Sequence, residues 1–379
     1  MAGVLVHEWL GPIGGSEKVL DVLAEIYPEA DIYCLWDDAG NYSQERLFES
    51  FLARTPLRRK KALALPAMPF VWRQMRSTKK YDWMLVSSHL FAHHARFRGR
   101  NASLPKYVYA HTPARYIWEP ELDRRGEGLF IKGAGLALKY LDRIRAAEPI
   151  EIAANSKFVA ERIRKSWNRD ARVIYPPVDT ERISSNSDWA STLSNRESEI
   201  FASLPAEFVL GASRFVRYKS LDIVIRAAEL SGLPAVIAGS GEGEATLRAR
   251  AAASSVPVYF VVKPTDAMLY ALYQKCSVYV FPPVEDFGIM PVEAAAAGAP
   301  VVANRLGGTS ETVVEGITGH LATMQDELEL KVAVEHALEL DRRQISETAS
   351  RFSAENFRRQ MLDWLPTDSL SESSTQKWK

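Results

Sequence analysis

Most of this chain alternates short apolar runs with stretches in which apolar residues recur every three or four positions. Residues 4–6 (Val-Leu-Val) read as a buried strand. Residues 17–27 follow as a helix with Val19, Leu20, Leu23 and Ile26 on one face. Further strands are predicted at 32–36, 83–87, 107–110 and 151–154, with a helix at 157–167. In the second half, strands at 208–212, 235–238, 258–262, 278–281 and 301–303 alternate with helices at 219–230, 242–253, 266–275 and 290–297. Three closing helices are expected at 325–340, 341–352 and 354–365. Strands alternating with helices predict an α/β chain of mostly parallel sheets.

Proline divides the pattern. Tyr175-Pro176-Pro177 cannot continue a helix, and the polar stretch 184–199 after it reads as a surface linker or an irregular helix. The hinge is therefore placed here, giving a domain at 1–175, a second at 176–354, and a closing helix and tail at 355–379. A length of 379 residues suits two such domains. Hydrophobic residues make up 47% and charged residues 25%, which excludes a disordered chain, apart from the Ser-rich end 369–379. Cys34 and Cys276 lie in apolar runs with neither metal-site nor disulfide spacing, and read as buried thiols in a reducing compartment.

The net charge of zero hides an asymmetry. Residues 1–175 hold 28 Lys and Arg against 20 Asp and Glu, and the remainder holds 19 against 27. A basic half points to an anionic partner. Nine of its cations fall between Arg54 and Lys80, including Arg58, Arg59, Lys60 and Lys61, and Trp72 and other apolar residues lie among them. Basic residues interleaved with apolar ones suit an anionic membrane surface or a lipid-pyrophosphate acceptor. An ordinary basic helix and loop is the plainer reading. Nucleic acid is disfavoured because no nucleic-acid motif accompanies the patch. The start has no basic, apolar leader and no run approaches ~18 apolar residues. The expected location is the cytoplasm, peripherally at the inner face of the membrane.

Chemistry concentrates at strand ends. Glu285-Asp286-Phe287-Gly288-Ile289-Met290-Pro291-Val292-Glu293 runs from a strand into a helix. Pro291 suits a first helical turn, so the amides of Phe287, Gly288 and Ile289 fall at a helix start, where anions bind. Glu285 and Glu293 flank that turn and could accept hydrogen bonds from ligand hydroxyls. Glu293 also suits a helix start for electrostatic reasons alone. Arg214 and Lys219 lie on another strand-to-helix loop, where open α/β sheets bind ligands, and offer cations to a diphosphate. Gly239, in a Gly-rich turn, serves either a plain turn or a donor contact. Gly14 and Gly15 join the first strand to the first helix and let the backbone approach a ligand closely. This loop is not G-x-G-x-x-G, which disfavours a nicotinamide enzyme. No Asp-x-Asp pair suited to a metal–nucleotide complex is present, so no metal and no cofactor are expected.

The string E-D-F-G-I-M-P-V-E resembles the Glu-x7-Glu signature of the retaining GT-B glycosyltransferases, and Gly307-Gly308-Thr309-Ser310-Glu311 resembles that family's Gly-Gly-x-x-Glu loop. His111-Thr112-Pro113-Ala114-Arg115-Tyr116-Ile117-Trp118 is similar to the H-T-P-x-R-Y-x-W segment of a bacterial subgroup that includes O-antigen mannosyltransferases. The resemblance implies two Rossmann-like, doubly wound domains with a nucleotide-sugar in the cleft between them. It gives Glu285 and His111 to the sugar, the 287–289 amides to sugar and phosphate, Glu293 to the ribose, and Arg214 and Lys219 to the diphosphate. It places Gly14 and Gly15 near the donor phosphate, and Arg115 and Trp118 towards the acceptor. It implies hexose transfer with retention, GDP-mannose as donor ahead of UDP-sugars, and a polyprenyl-pyrophosphate-linked glycan as acceptor. A nucleotide-sugar epimerase and an inactive sugar-nucleotide-binding scaffold are the remaining alternatives.

Overall fold

The computed structural model describes residues 1–12, 14–119 and 129–365; the Ser-rich segment 369–379 lies outside them. The chain divides into two compact units. One comprises Met1–Pro177 with the segment from Phe357 onward, and the other is Val178–Asn356.

The first unit is built on β1 (Gly3–His7), β2 (Asp31–Cys34), β3 (Leu47–Glu49), β4 (Trp83–Ser88), β5 (Lys106–Ala110), β6 (Glu151–Ala154) and β7 (Arg172–Val173), in the order β3-β2-β1-β4-β5-β6-β7. All neighbours are parallel. Every residue of β1, β4 and β5 is buried, as expected of parallel strands covered on both faces. Alternation along β1 sends Val4 and Val6 into one core and Leu5 into the other. Helix Gly15–Ile26 buries Val19, Leu20 and Leu23. Helix Lys157–Trp167 starts where Ser156 accepts from the Val159 amide (3.0 Å) and stops at Asn168 in the left-handed region. Helix Ala354–Trp364 delivers Phe357, Met361 and Trp364 into the core around Tyr107 and Tyr109. Its Trp364 indole donates to Glu151 (2.8 Å).

The second unit carries β8 (Val209–Ala212), β9 (Ala235–Gly239), β10 (Val258–Val262), β11 (Val278–Phe281), β12 (Val301–Asn304) and β13 (Gly319–Ala322), ordered β10-β9-β8-β11-β12-β13. Both sheets are thus doubly wound, with the strand order reversing beside β1 and beside β8.

Three edge strands, β3, β7 and β13, go beyond the sequence expectation; β3 and β7, of three and two residues, are too short for a periodic signal. Helix Leu129–Ala146 was also not anticipated. The stretch expected as a linker is structured: helix Thr180–Ser185, a 3-10 turn Trp189–Thr192, and helix Asn195–Ala202 opened by a Ser194–Glu197 capping box. The expected helix 341–352 is an α-helix Arg342–Thr348 followed by a 3-10 turn Ala349–Phe352. Both cysteines are buried and unbridged.

Candidate functional site

In the second unit, the carboxyl ends of β8 and β11 meet where the strand order reverses, the place where doubly wound sheets bind ligands. After β8 the chain passes Arg214 and makes a 3-10 turn, Arg217–Lys219, closed by Ser220 at φ +50. This turn folds Lys219 inward to 8% exposure and leaves Arg214 exposed. The Lys219 ammonium donates to Glu285 Oε1 at 2.5 Å, and Arg214 donates to the Tyr218 hydroxyl at 2.6 Å. Glu285 lies on the loop after β11, sixty-six residues away in sequence.

That loop is held by close backbone contact. The Gly308 amide donates to the Glu285 carbonyl (2.7 Å), and a Cβ on Gly308 would stand 1.9 Å from the Asp286 carbonyl oxygen. Gly288, at φ +102, precedes helix Ile289–Ala296, whose first-turn amides have no partner inside the helix. Phe287 is 4% and Glu293 8% exposed. The edge therefore gathers two cations, a carboxylate and a helix start: a seat for an anion carrying hydroxyls. Gly239 has a packing reason of its own, since a Cβ there would lie 1.8 Å from the Ser213 carbonyl oxygen.

In the first unit the corresponding edge holds His7, Glu8, Ser87, His89 and His111, of which sequence reasoning found only His111. The register explains the meeting: His7 sits beside Ser87 across β1 and β4, and Ser88 beside Ala110 across β4 and β5. Ser87 Oγ lies 2.8 Å from His111 Nε2 and 3.1 Å from His7 Nδ1. Burial, then His89, pushes His7 down to about 4 from its ordinary 6.5. Burial, then His7 and His89, takes His111 well below the same value. Both rings are neutral at pH 7. Burial works to raise the Glu8 carboxyl, but His89, His7 and backbone donors outweigh it and hold it low. Glu8 Oε1 accepts from the amides of Leu90 (2.7 Å) and Ala92 (2.9 Å).

Gly14 is the extended residue before helix Gly15–Ile26, and a Cβ there would meet the Glu17 carboxylate at 2.0 Å. Glu17 in turn accepts from the Gly11 amide (3.3 Å), which closes the loop. Trp118, expected towards an acceptor, donates its indole N–H to Asp142 (2.7 Å). Trp167 donates to the same oxygen (2.7 Å), and His93 and His94 Nε2 each lie 3.0 Å from the other one. His93, His94 and Asp142 could each offer a ligand atom to a cation. Both carboxylate oxygens are already engaged by ring nitrogens, so Asp142 works as a hub tying Trp118 to the segment after β4. Arg115 is half-buried at the start of the same helical turn, Arg115–Trp118.

The basic segment divides in two. Trp72 was expected at a membrane or acceptor face; it is instead buried in the core with Ala64, Met68 and Val71. Composition alone does not say which side of a short helix faces inward. Arg73 pairs with Glu148 (2.7 Å) and Lys79 with Asp31 (2.8 Å). Arg58 bonds Asp38 (2.8 Å), and the Lys61 ammonium stands 4.3 Å from the Trp9 ring centroid. What faces outward is Phe51, Leu63 and Phe70, each at least 60% exposed, in a segment whose Arg54, Arg59 and Lys60 are also exposed.

A family model described as Glycosyl transferases group 1 matches residues 196–357, and one described as Glycosyltransferase Family 4 matches residues 13–182. The chain is 28% identical over 242 residues to the O-antigen chain mannosyltransferase C of Escherichia coli, covering 60% of each. It is 27% identical over 215 residues to the alpha-1,3/1,6-mannosyltransferase alg-2 of Neurospora crassa, covering 46% of this chain and 45% of the relative. The chain spans about half the length of the curated relatives it matches. Among solved structures, Anabaena HepE in complex with UDP superposes with a TM-score of 0.71 at 19% identity, covering 97% of this chain and 100% of that one. Sucrose-phosphate synthase from Thermosynechococcus elongatus gives 0.71 at 17%, covering 98% and 100%.

Proposed function

Since this chain belongs to the GT-B glycosyltransferase family, with two Rossmann-like α/β units, we propose that it transfers a hexose from a nucleotide-sugar, with retention and without a metal, to a membrane-associated glycan carried on a polyprenyl pyrophosphate. The observation that carries this reading is the Lys219–Glu285 contact at the edge of β8 and β11. The two side chains bond each other in this structure. A donor diphosphate competes for the Lys219 ammonium and frees the Glu285 carboxylate to accept from sugar hydroxyls. Lys219, Arg214 and the first-turn amides after Gly288 then stabilise the charge that develops on the leaving diphosphate. Glu293 serves the ribose and His111 donates to the sugar. A donor phosphate oxygen takes the acceptor proton, so no protein base is assigned.

Relatives named as mannosyltransferases support mannose as the sugar, and the donor assigned is GDP-mannose. The UDP bound to Anabaena HepE keeps a UDP-sugar as the second reading. A ligand bound only by the folded state stabilises it by about 2.7 kcal/mol at a hundred times its Kd. GDP is therefore expected to raise the melting temperature well above the shifts from UDP, ADP or dTDP. A dominant UDP shift would move the reading to the second donor. A shift with NAD alone would sink it.

Among the described residues no helix is long and apolar enough to cross a membrane. Phe51, Leu63 and Phe70, flanked by Arg54, Arg59 and Lys60, support peripheral binding to anionic lipid. The protein is expected to sediment with phosphatidylglycerol vesicles, to be released by high salt, and to stay in solution with phosphatidylcholine. Equal sedimentation with both lipids, or with neither, rejects this part.

A further inference from the structure

We infer that His7 and Ser87 are positioning residues that hold His111 as its Nδ1-protonated tautomer, so that the imidazole offers a hydrogen-bond donor and not a base. The catalytic consequence rests on the reading above, in which His111 meets the sugar; the tautomer itself does not.

The argument starts from one proton. Ser87 Oγ stands 2.8 Å from His111 Nε2 and 3.1 Å from His7 Nδ1, and among the described residues it has no other partner. A hydroxyl carries a single hydrogen. If both rings donated to it, that hydrogen would be left without an acceptor. One ring must therefore donate to Ser87 while Ser87 donates to the other.

Two arrangements remain, and the far side of His7 decides between them. His7 is fully buried, and its Nε2 has no partner among the described residues. If His111 Nε2–H donates to Ser87 and Ser87 donates to His7 Nδ1, the His7 proton must sit on Nε2, a buried N–H with nothing to bond. If His7 Nδ1–H donates to Ser87 and Ser87 donates to His111 Nε2, the orphan on His7 is only a lone pair. Orphaned buried N–H groups are the rarer of the two. The lengths agree: bonds donated by O–H run shorter than those donated by N–H, and the Ser87–His111 bond is the short one. Burial keeps both rings neutral, so neither carries a second proton that would erase the distinction.

The second arrangement places the His111 proton on Nδ1, the nitrogen that bonds no protein group among the described residues. The other groups facing the pair are Tyr109, whose ring centroid lies 5.2 Å from that of His111 and whose hydroxyl donates to the Ile174 carbonyl, His89, whose ring centroid lies 5.5 Å from His7 and 6.4 Å from His111, and Glu8, 3.3 Å from His89 Nδ1. None of them bonds His111. A fixed donor suits a sugar oxygen and removes the lone pair that a competing base would need.

The test is long-range 1H–15N correlation on the intact protein labelled with 15N-histidine, without donor. The His111 resonances are identified by their loss in His111→Gln. The expected pattern for His111 is a protonated Nδ1 and a bare Nε2, shifting towards Nε2–H in Ser87→Ala and restored in Ser87→Thr. Turnover in Ser87→Ala is expected to fall about tenfold at nearly constant KM, with recovery in Ser87→Thr. A wild-type His111 protonated on Nε2, or one indifferent to Ser87→Ala, overturns the inference, even if the alanine variant proves too unstable for kinetics. The stated tautomer with unchanged Ser87→Ala turnover overturns the positioning role and leaves the donor-site reading standing. Nucleotide binding tests that reading separately.

Discussion

Replacing Lys219 by alanine is expected to lower turnover about a hundred- to a thousand-fold, the scale of removing one preorganised group that stabilises developing charge. The reason is its seat. Lys219 is folded inward by the 3-10 turn after β8, and its ammonium lies 5.3 Å from the Tyr218 ring centroid and 5.7 Å from that of Phe281. A cation held there needs no reorganisation when the diphosphate leaves. Arg214 is exposed and, among the described residues, bonded only to the Tyr218 hydroxyl, so Arg214→Ala is expected to cost less, about tenfold. Lys219→Arg should not rescue, because a planar fork does not fit a seat shaped for a point charge. The fold should persist. The lost pair leaves one partly exposed carboxylate at Glu285, a penalty of about 1 kcal/mol. Steady-state transfer rates for the three variants, with melting curves beside them, give the comparison. Lys219→Ala turning over like the wild type would remove the residue from the donor site.

The second unit was the easier to read because its chemistry is local. Glu285, Gly288 and Glu293 sit within nine consecutive residues, and Arg214 and Lys219 within six, each set on a single strand-to-helix connection. A motif of that kind carries its geometry with it. The first unit assembles its edge from β1, β4 and β5, so His7 and Ser87 meet through a register spanning eighty residues. Nothing within ten residues of either announces the contact. Asp142 was illegible for the same reason: its partners Trp118, Trp167 and the adjacent pair His93 and His94 come from three separate segments. Trp72 failed in another way. Its neighbours have the composition of an interfacial segment, yet Met68–Val71 and Trp72–Gln74 are two short helical pieces whose apolar sides turn inward, and of their apolar residues only Phe70 is exposed.

The buried histidines also make the protein acid-sensitive in a defined window. His7 and His94 are each pushed down to about 4 from 6.5. Burial is the first cause for both, followed by His89 for His7 and by His93 for His94. Glu8 and Glu17 pull His7 the other way, as Asp142 does for His94, without overcoming burial. Between pH 6.5 and 4 the unfolded chain binds these protons and the folded chain does not, so stability rises with pH across that interval. Their contribution is fully present above 6.5 and is lost as pH falls through 4. A displacement of this size corresponds to about 3 kcal/mol for each ring, against a typical total of about 5–15 kcal/mol. The carboxylates act lower. Burial tends to raise Glu148, but Lys106 and Arg73 bring it down to about 2 from 4.5, so its share is lost only below 4.5. Urea unfolding at steps from pH 7.5 to 4.5 is therefore expected to show the midpoint falling steeply once pH drops under 6.5, before the carboxylates titrate. His94→Gln, which keeps an amide donor for Asp142 and cannot take up a proton, should flatten part of that slope. A midpoint constant from pH 7 to 5, or a slope unchanged in His94→Gln, would mean that these rings are not held neutral by the fold.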